Sequence, residues 1–132
     1  MTSQPEPAAA AKDLLTEAAE HIAAFNRCTL DTPADHLPNP GDIYDATGGL
    51  VQLLTRLPQA LGQLAGRLTA LHDIRTLAVV QSRPDANPAS VVADYDQQLT
   101  AAVEHLEKAA LHANSAWSVS GILIHTDPPD AA

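Results

Sequence analysis

The sequence predicts an all-α fold, an antiparallel three-helix bundle in which one shorter helix packs on a long helical hairpin. Three observations carry this. The 132 residues are 45% hydrophobic but 3% aromatic, a balance unlike that of β-sandwiches and barrels, whose strands favour aromatic and β-branched side chains. Apolar residues recur every three or four positions through three long stretches, which is the spacing of one helical face. Finally, Asn39-Pro40 and Asn87-Pro88 stand where two of those stretches begin, each an asparagine cap followed by proline at the first helical position.

In chain order, 1–7 and 126–132 read as disordered tails, the second carrying Pro128-Pro129. Between them, 8–125 reads as a single helical domain. The first helix starts near Pro7 or Ala8 and stops by about Thr29. Leu14, Ala18, Ile22 and Phe25 share one face of it, with Glu17, Glu20 and Arg27 mostly elsewhere. A connector, Leu30–Gly41, contains Thr32-Pro33-Ala34-Asp35, which has the form of a one-turn helix start with a hydroxyl cap.

The second helix carries the clearest signal. Leu50, Leu54, Leu57, Leu61, Leu64, Leu68 and Leu71 alternate four and three, and Ile43 extends the phase backwards by a heptad. Leu53, Ala60 and Ile74 widen the stripe, which suits a helix with more than one neighbour. Pro58 lies inside it and predicts a kink or short break, because proline lacks a backbone donor and crowds the Leu54 carbonyl. Gly48-Gly49 predicts another bend. Gly62 and Gly66 share a face and predict close approach of a neighbouring backbone.

Ser82–Pro88 reads as the second connector, and the third helix runs from about Ala89 to Ile124. Its seam is Val92, Tyr95, Leu99, Ala102, Leu106, Ala109, Ala113, Ala116, Ser120 and Leu123. Val103, Ala110, Trp117 and Ile124 form a parallel row. The second and third helices, at about 36 residues, would each be about 54 Å long, and the first, at about 22 residues, about 33 Å. The short helix cannot cover both long stripes. The remainder would be an exposed apolar patch of the kind that marks interfaces. A homodimer, two hairpins forming a four-helix core, is the economical solution.

Charge narrows the partners. The net charge is −9, from 16 acidic and 7 basic residues. Such a field repels phosphate backbones, and two arginines on one side of a helix, Arg56 and Arg67, do not make a footprint, so no direct nucleic-acid binding is expected. Stretch 46–83 holds Arg56, Arg67, Arg75 and Arg83 against Asp73 and lies between acidic flanks, which reads as complementarity between packed helices. The uncharged run Ala109–Thr126 contains His112, Asn114, Ser115, Ser118, Ser120 and His125, each costly in hydrocarbon, so no membrane span is expected. No secretory signal is legible at Met1–Pro7, and the lone Cys28 fits a reducing cytoplasm. The Ala/Leu/Pro-rich style fits a high-GC bacterial genome.

Catalytic and metal chemistry find little support. His105 and His112 lie on one flank of the third helix, and Glu17 precedes His21 by four residues, but zinc wants three or four convergent ligands. No Glu-x-x-His pair of a di-iron bundle occurs. Cys28 reads as a buried small hydrophobe. Ser115, Ser118 and Ser120 lie in a helix rather than a strained turn. Asp42, Tyr44 and Asp45 cluster at a helix start, where the acids suit the dipole. Gly48-Gly49 lacks the rest of a phosphate loop. The expectation is therefore a non-enzymatic protein–protein interaction module, cytoplasmic and homodimeric, acting as a small adaptor or regulatory protein without a cofactor. Its anchors would be Leu50, Leu54, Leu57, Leu61, Leu64, Leu68, Leu106, Trp117 and Leu123. The alternative is a small-ligand sensor with an apolar pocket between helices near Pro58.

Overall fold

A computed structural model of the chain describes residues 10–124, 126 and 127. The expected tail at 1–7, and the expected tail at 126–132 apart from 126 and 127, lie outside the described residues. All regular structure among the described residues is helical: α1 (Ala11–Asp31), α2 (Pro33–His36), α3 (Pro40–Asp73) and α4 (Pro88–Ser120). The chain groups into two compact units, residues 1–39 and 40–132.

In the first unit, α1 packs on α2. Its first turn is closed by the Asp13 N–H donating to the Ala10 carbonyl at 2.9 Å. The helix runs two residues past the expected stop at Thr29, to Asp31. Thr29 sits inside the last turn, its hydroxyl donating to the Phe25 carbonyl at 2.8 Å. The one-turn helix at Pro33 is present, with proline in its first turn. Its cap differs from expectation. The Thr32 hydroxyl makes no cap bond to α2 and donates back to the Cys28 carbonyl at 3.3 Å. A hydroxyl at a junction can satisfy the helix behind it or the one ahead, and here the last turn of α1 takes it.

In the second unit, α3 and α4 pack against each other as an antiparallel hairpin. Trp117 lies against Gly48 at one end, and Leu68 and Val92 line one cavity at the other. The two helices are 34 and 33 residues, or about 50 Å each.

Pro58 does not break α3. The helix is continuous from Pro40 to Asp73, with Pro58 half-buried inside it, and Gly48-Gly49 also lies within it. An interior proline costs about 3 kcal/mol. The cost is local, whereas the packing that holds α3 extends along the whole of α4.

Both long helices stop earlier than their apolar patterns. After Asp73, the Arg75 N–H donates to the His72 carbonyl at 2.9 Å and the Thr76 N–H to the Leu71 carbonyl at 3.2 Å. This paired closure is a Schellman motif, with Arg75 at its left-handed position, φ 57°. Glycine usually occupies that position, so an arginine gives no stop signal in the sequence. The connector therefore runs from 74 to 87 instead of beginning at Ser82. At the far end, Gly121 follows α4, its N–H donating to the Trp117 carbonyl at 3.2 Å, so Leu123 and Ile124 lie beyond the helix. The start of α4 matches expectation, with Asn87 Oδ1 accepting from the Ser90 N–H at 2.9 Å and Pro88 opening the helix.

These ends predict opposite effects. Replacing Arg75→Gly relieves the left-handed strain and should raise unfolding stability by about 1 kcal/mol. Replacing Asn87→Ala removes the cap and should lower it by about 1 kcal/mol. Urea denaturation followed by circular dichroism measures both.

Candidate functional site

The hairpin seam decides which apolar side chains remain available. On α3, Leu54, Leu61 and Leu68 are half-buried, and Ala65, between these turns, is buried. Leu57 and Leu71 are half-buried too. Leu50 and Leu64, which continue the Leu57 row at heptad spacing, are 47% and 44% exposed, and Ile43 in the same row is 48% exposed. The leucine pattern thus divides into two rows. One row meets α4, and the other runs along the flank of α3 beside Ala46, Leu53 and Ala60.

On α4, the half-buried positions are Pro88, Tyr95, Leu99, Ala102, Val103, Leu106, Ala109, Ala110, Ala113, Trp117 and Ser120, and Val92 is buried. Within α4 both the expected seam and the parallel row of Val103, Ala110 and Trp117 are half-buried or buried, except Ala116, which is exposed.

The end of the hairpin away from the connector is closed by an aromatic pair that the pattern does not reveal. Tyr44 and Trp117 have ring centroids 5.4 Å apart at an interplanar angle of 31°. Each is seated on a glycine. A Cβ at Gly48 would stand 3.1 Å from the Trp117 ring, and one at Gly121 would stand 3.1 Å from the Tyr44 ring. The Trp117 indole Nε1 is buried and has no hydrogen-bond partner among the described residues. Of the expected anchors, Leu54, Leu61, Leu68, Leu106 and Trp117 belong to the faces the hairpin packs together. Leu50 and Leu64 lie on the open flank, and Leu123, 64% exposed, lies past the end of α4.

Gly62 and Gly66 correct the close-packing expectation. A Cβ at either position meets nothing within 4 Å. The close approach occurs at Gly48, one of the pair expected to mark a bend. Cys28 is half-buried rather than buried, with its thiol on the Phe25 carbonyl at 3.4 Å.

The other chemistry-bearing residues stay apart. His21, His105 and His112 are exposed, and no three His, Cys, Asp or Glu residues gather for a metal ion among the described residues. The Ser115 hydroxyl donates to the Leu111 carbonyl at 3.1 Å and the Ser120 hydroxyl to the Trp117 carbonyl at 2.7 Å, so both are spent on their own helix. Arg56 and Arg67 are exposed. Among the described residues the ion pair is Arg83 with Asp85, 3.9 Å apart within the connector. That pair lies within the connector rather than between packed helices. No helix among the described residues is long and apolar enough to cross a membrane.

The arrangement is a two-helix scaffold with one apolar row unpaired within its own unit. Comparison with protein-family models, curated proteins and solved structures finds no match to the chain.

The glycines give a stability test of this packing. Gly62→Ala and Gly66→Ala should each raise stability by about 1 kcal/mol, the helix-propensity gain in open space. Gly48→Ala should gain less than either, because the Trp117 ring must shift to admit the methyl group. Thermal unfolding of the three variants checks the ranking.

Proposed function

We propose that this protein is a non-enzymatic protein–protein interaction module, a cytoplasmic adaptor or regulatory protein that works as a homodimer of helical hairpins. The observation that carries the reading is the α3 flank. Ile43, Leu50 and Leu64 recur at heptad-related spacing and are each nearly half exposed, beside half-buried Leu57. Scattered apolar residues on a surface need no explanation, but a contiguous row along a long helix does. Two such rows related by a two-fold axis would form a four-helix core from two α3–α4 hairpins, and an isologous contact of that kind closes on itself.

In this reading α1 is the third helix of each bundle and covers part of the remaining apolar stripe. It brings its own apolar face for the purpose, with Leu14, Ile22 and Phe25 about half exposed and none of its residues buried. Against the hairpin's 34- and 33-residue helices, the 21 residues of α1 reach along only part of the length. The rest is left for the second copy or for a further protein partner.

Light scattering at micromolar concentration tests the dimer. The expected mass is about twice the 13.8 kDa of one chain, and about one chain at every concentration would remove the proposal. The double substitution Leu50→Glu with Leu64→Glu should shift the protein to monomer and leave its helicity intact, because both side chains already face outward. Loss of helicity together with the dimer would place these leucines in the fold rather than the interface.

A further inference from the structure

We propose that the connector end of the α3–α4 hairpin is a binding site for a small amphipathic carboxylate, a medium-chain alkyl acid whose chain enters an apolar cavity and whose carboxylate meets Arg83. The cavity has a volume of about 370 Å³ and lies between Leu68 of α3, Val91 and Val92 of α4, and the connector. That volume falls within the range of about 300–1,000 Å³ typical of small-ligand sites. Every lining side chain is apolar except Arg83. An apolar lining with one polar group fixing orientation is the usual composition of a ligand pocket. It lies at the connector end of the hairpin, far along α3 from Pro58.

Two features of the connector turn this cavity into a receptor for an acid. The first is the state of Arg83. Its nearest acidic partner, Asp85, is 3.9 Å from Nε, beyond hydrogen-bond distance, and both side chains are well exposed. The guanidinium fork is therefore available to bind a carboxylate through two parallel N–H bonds. No lining side chain of the cavity is acidic, and the neighbouring Asp85 carboxylate stands outside the lining.

The second feature is the wall itself. Leu77 to Val80 is non-helical, with Leu77 and Val79 half-buried and Ala78 and Val80 exposed. Among the described residues, none of the backbone N–H groups of 77–80 donates to a backbone carbonyl. The strap is tied at its end, where the Val80 carbonyl accepts from the Arg83 N–H at 3.0 Å. It can yield to an entering chain without breaking a hydrogen-bonded ladder, which is a property of low-stability ligand-binding segments. All four residues from Leu77 to Val80 line the cavity, Leu77 and Val79 being the more buried.

Titration of the ¹⁵N-labelled full chain with octanoate, followed by amide shifts, tests the site. Saturable shifts should concentrate on 77–80 and Val92. Affinity should fall about tenfold for Arg83→Gln, whose cation is lost, and by a similar factor for octan-1-ol on the unaltered chain. Val91→Trp, at a partly exposed lining position, should abolish binding and leave helicity intact. Equal affinity for acid and alcohol, full affinity in Arg83→Gln or Val91→Trp, or shifts centred on the Leu50 and Leu64 flank would each overturn the assignment. The dimer mass is measured separately and is independent of any of these results.

Discussion

A helix in a two-helix hairpin has one neighbour, and that constraint shapes everything else in this chain. A single contact covers roughly the side of a helix that faces its partner. An apolar stripe wider than that side must leave a row uncovered within the pair. In α3 the stripe is three rows wide. Leu54, Leu61 and Leu68 take the contact, the row of Ile43, Leu50, Leu57 and Leu64 borders it, and Ala46, Leu53 and Ala60 lie further out. In the hairpin, the buried residues are small or centred on the seam, as at Gly48, Ala65 and Val92. The unsatisfied width is a property of the architecture rather than of any one leucine.

The two ends of the hairpin are finished differently, and the difference bears on function. At the end away from the connector, two glycines let Tyr44 and Trp117 lie close to the opposing helix, so the helices meet with large rings set over absent side chains. At the connector end there is no such closure. A left-handed Arg75 turns the chain out of α3, and fourteen residues, the last of them the cap Asn87, pass before α4 starts at Pro88. That length leaves room beside Leu68 and Val92 for an apolar cavity. A tighter link of the kind expected at Ser82–Pro88 would have filled the space with continued helix.

Charge is unevenly distributed along the chain. The cations Arg56 and Arg67 lie on exposed positions of α3, and Arg83 lies in the connector, whereas the acids concentrate toward both ends of the sequence. The ion pair of Arg83 with Asp85 lies within the connector, and an exposed pair of that kind has small net value. Cohesion instead comes from side-chain burial along the seam, with helix termini closed by Asn87 and by the carbonyls of Leu71 and His72. The apolar flank is therefore free of a charge pattern that would fix one partner by itself.

The helical class, the long hairpin, the cap at Asn87 and most of the seam were legible from residue order alone, because periodicity and capping are local properties that depend on residues three or four apart. The heptad rows of leucine already contained both the α4-facing row and the flank. What they could not separate was which row would meet α4, since either choice satisfies the same spacing. That was decided by the antiparallel register, which brings Trp117 to Gly48. The Tyr44–Trp117 clasp, the open setting of Gly62 and Gly66, the continuity of helix through Pro58 and the left-handed Arg75 likewise arose only in three dimensions. Each depends on atoms distant in sequence, or on a backbone conformation its residue type does not advertise, and no local pattern carries such information.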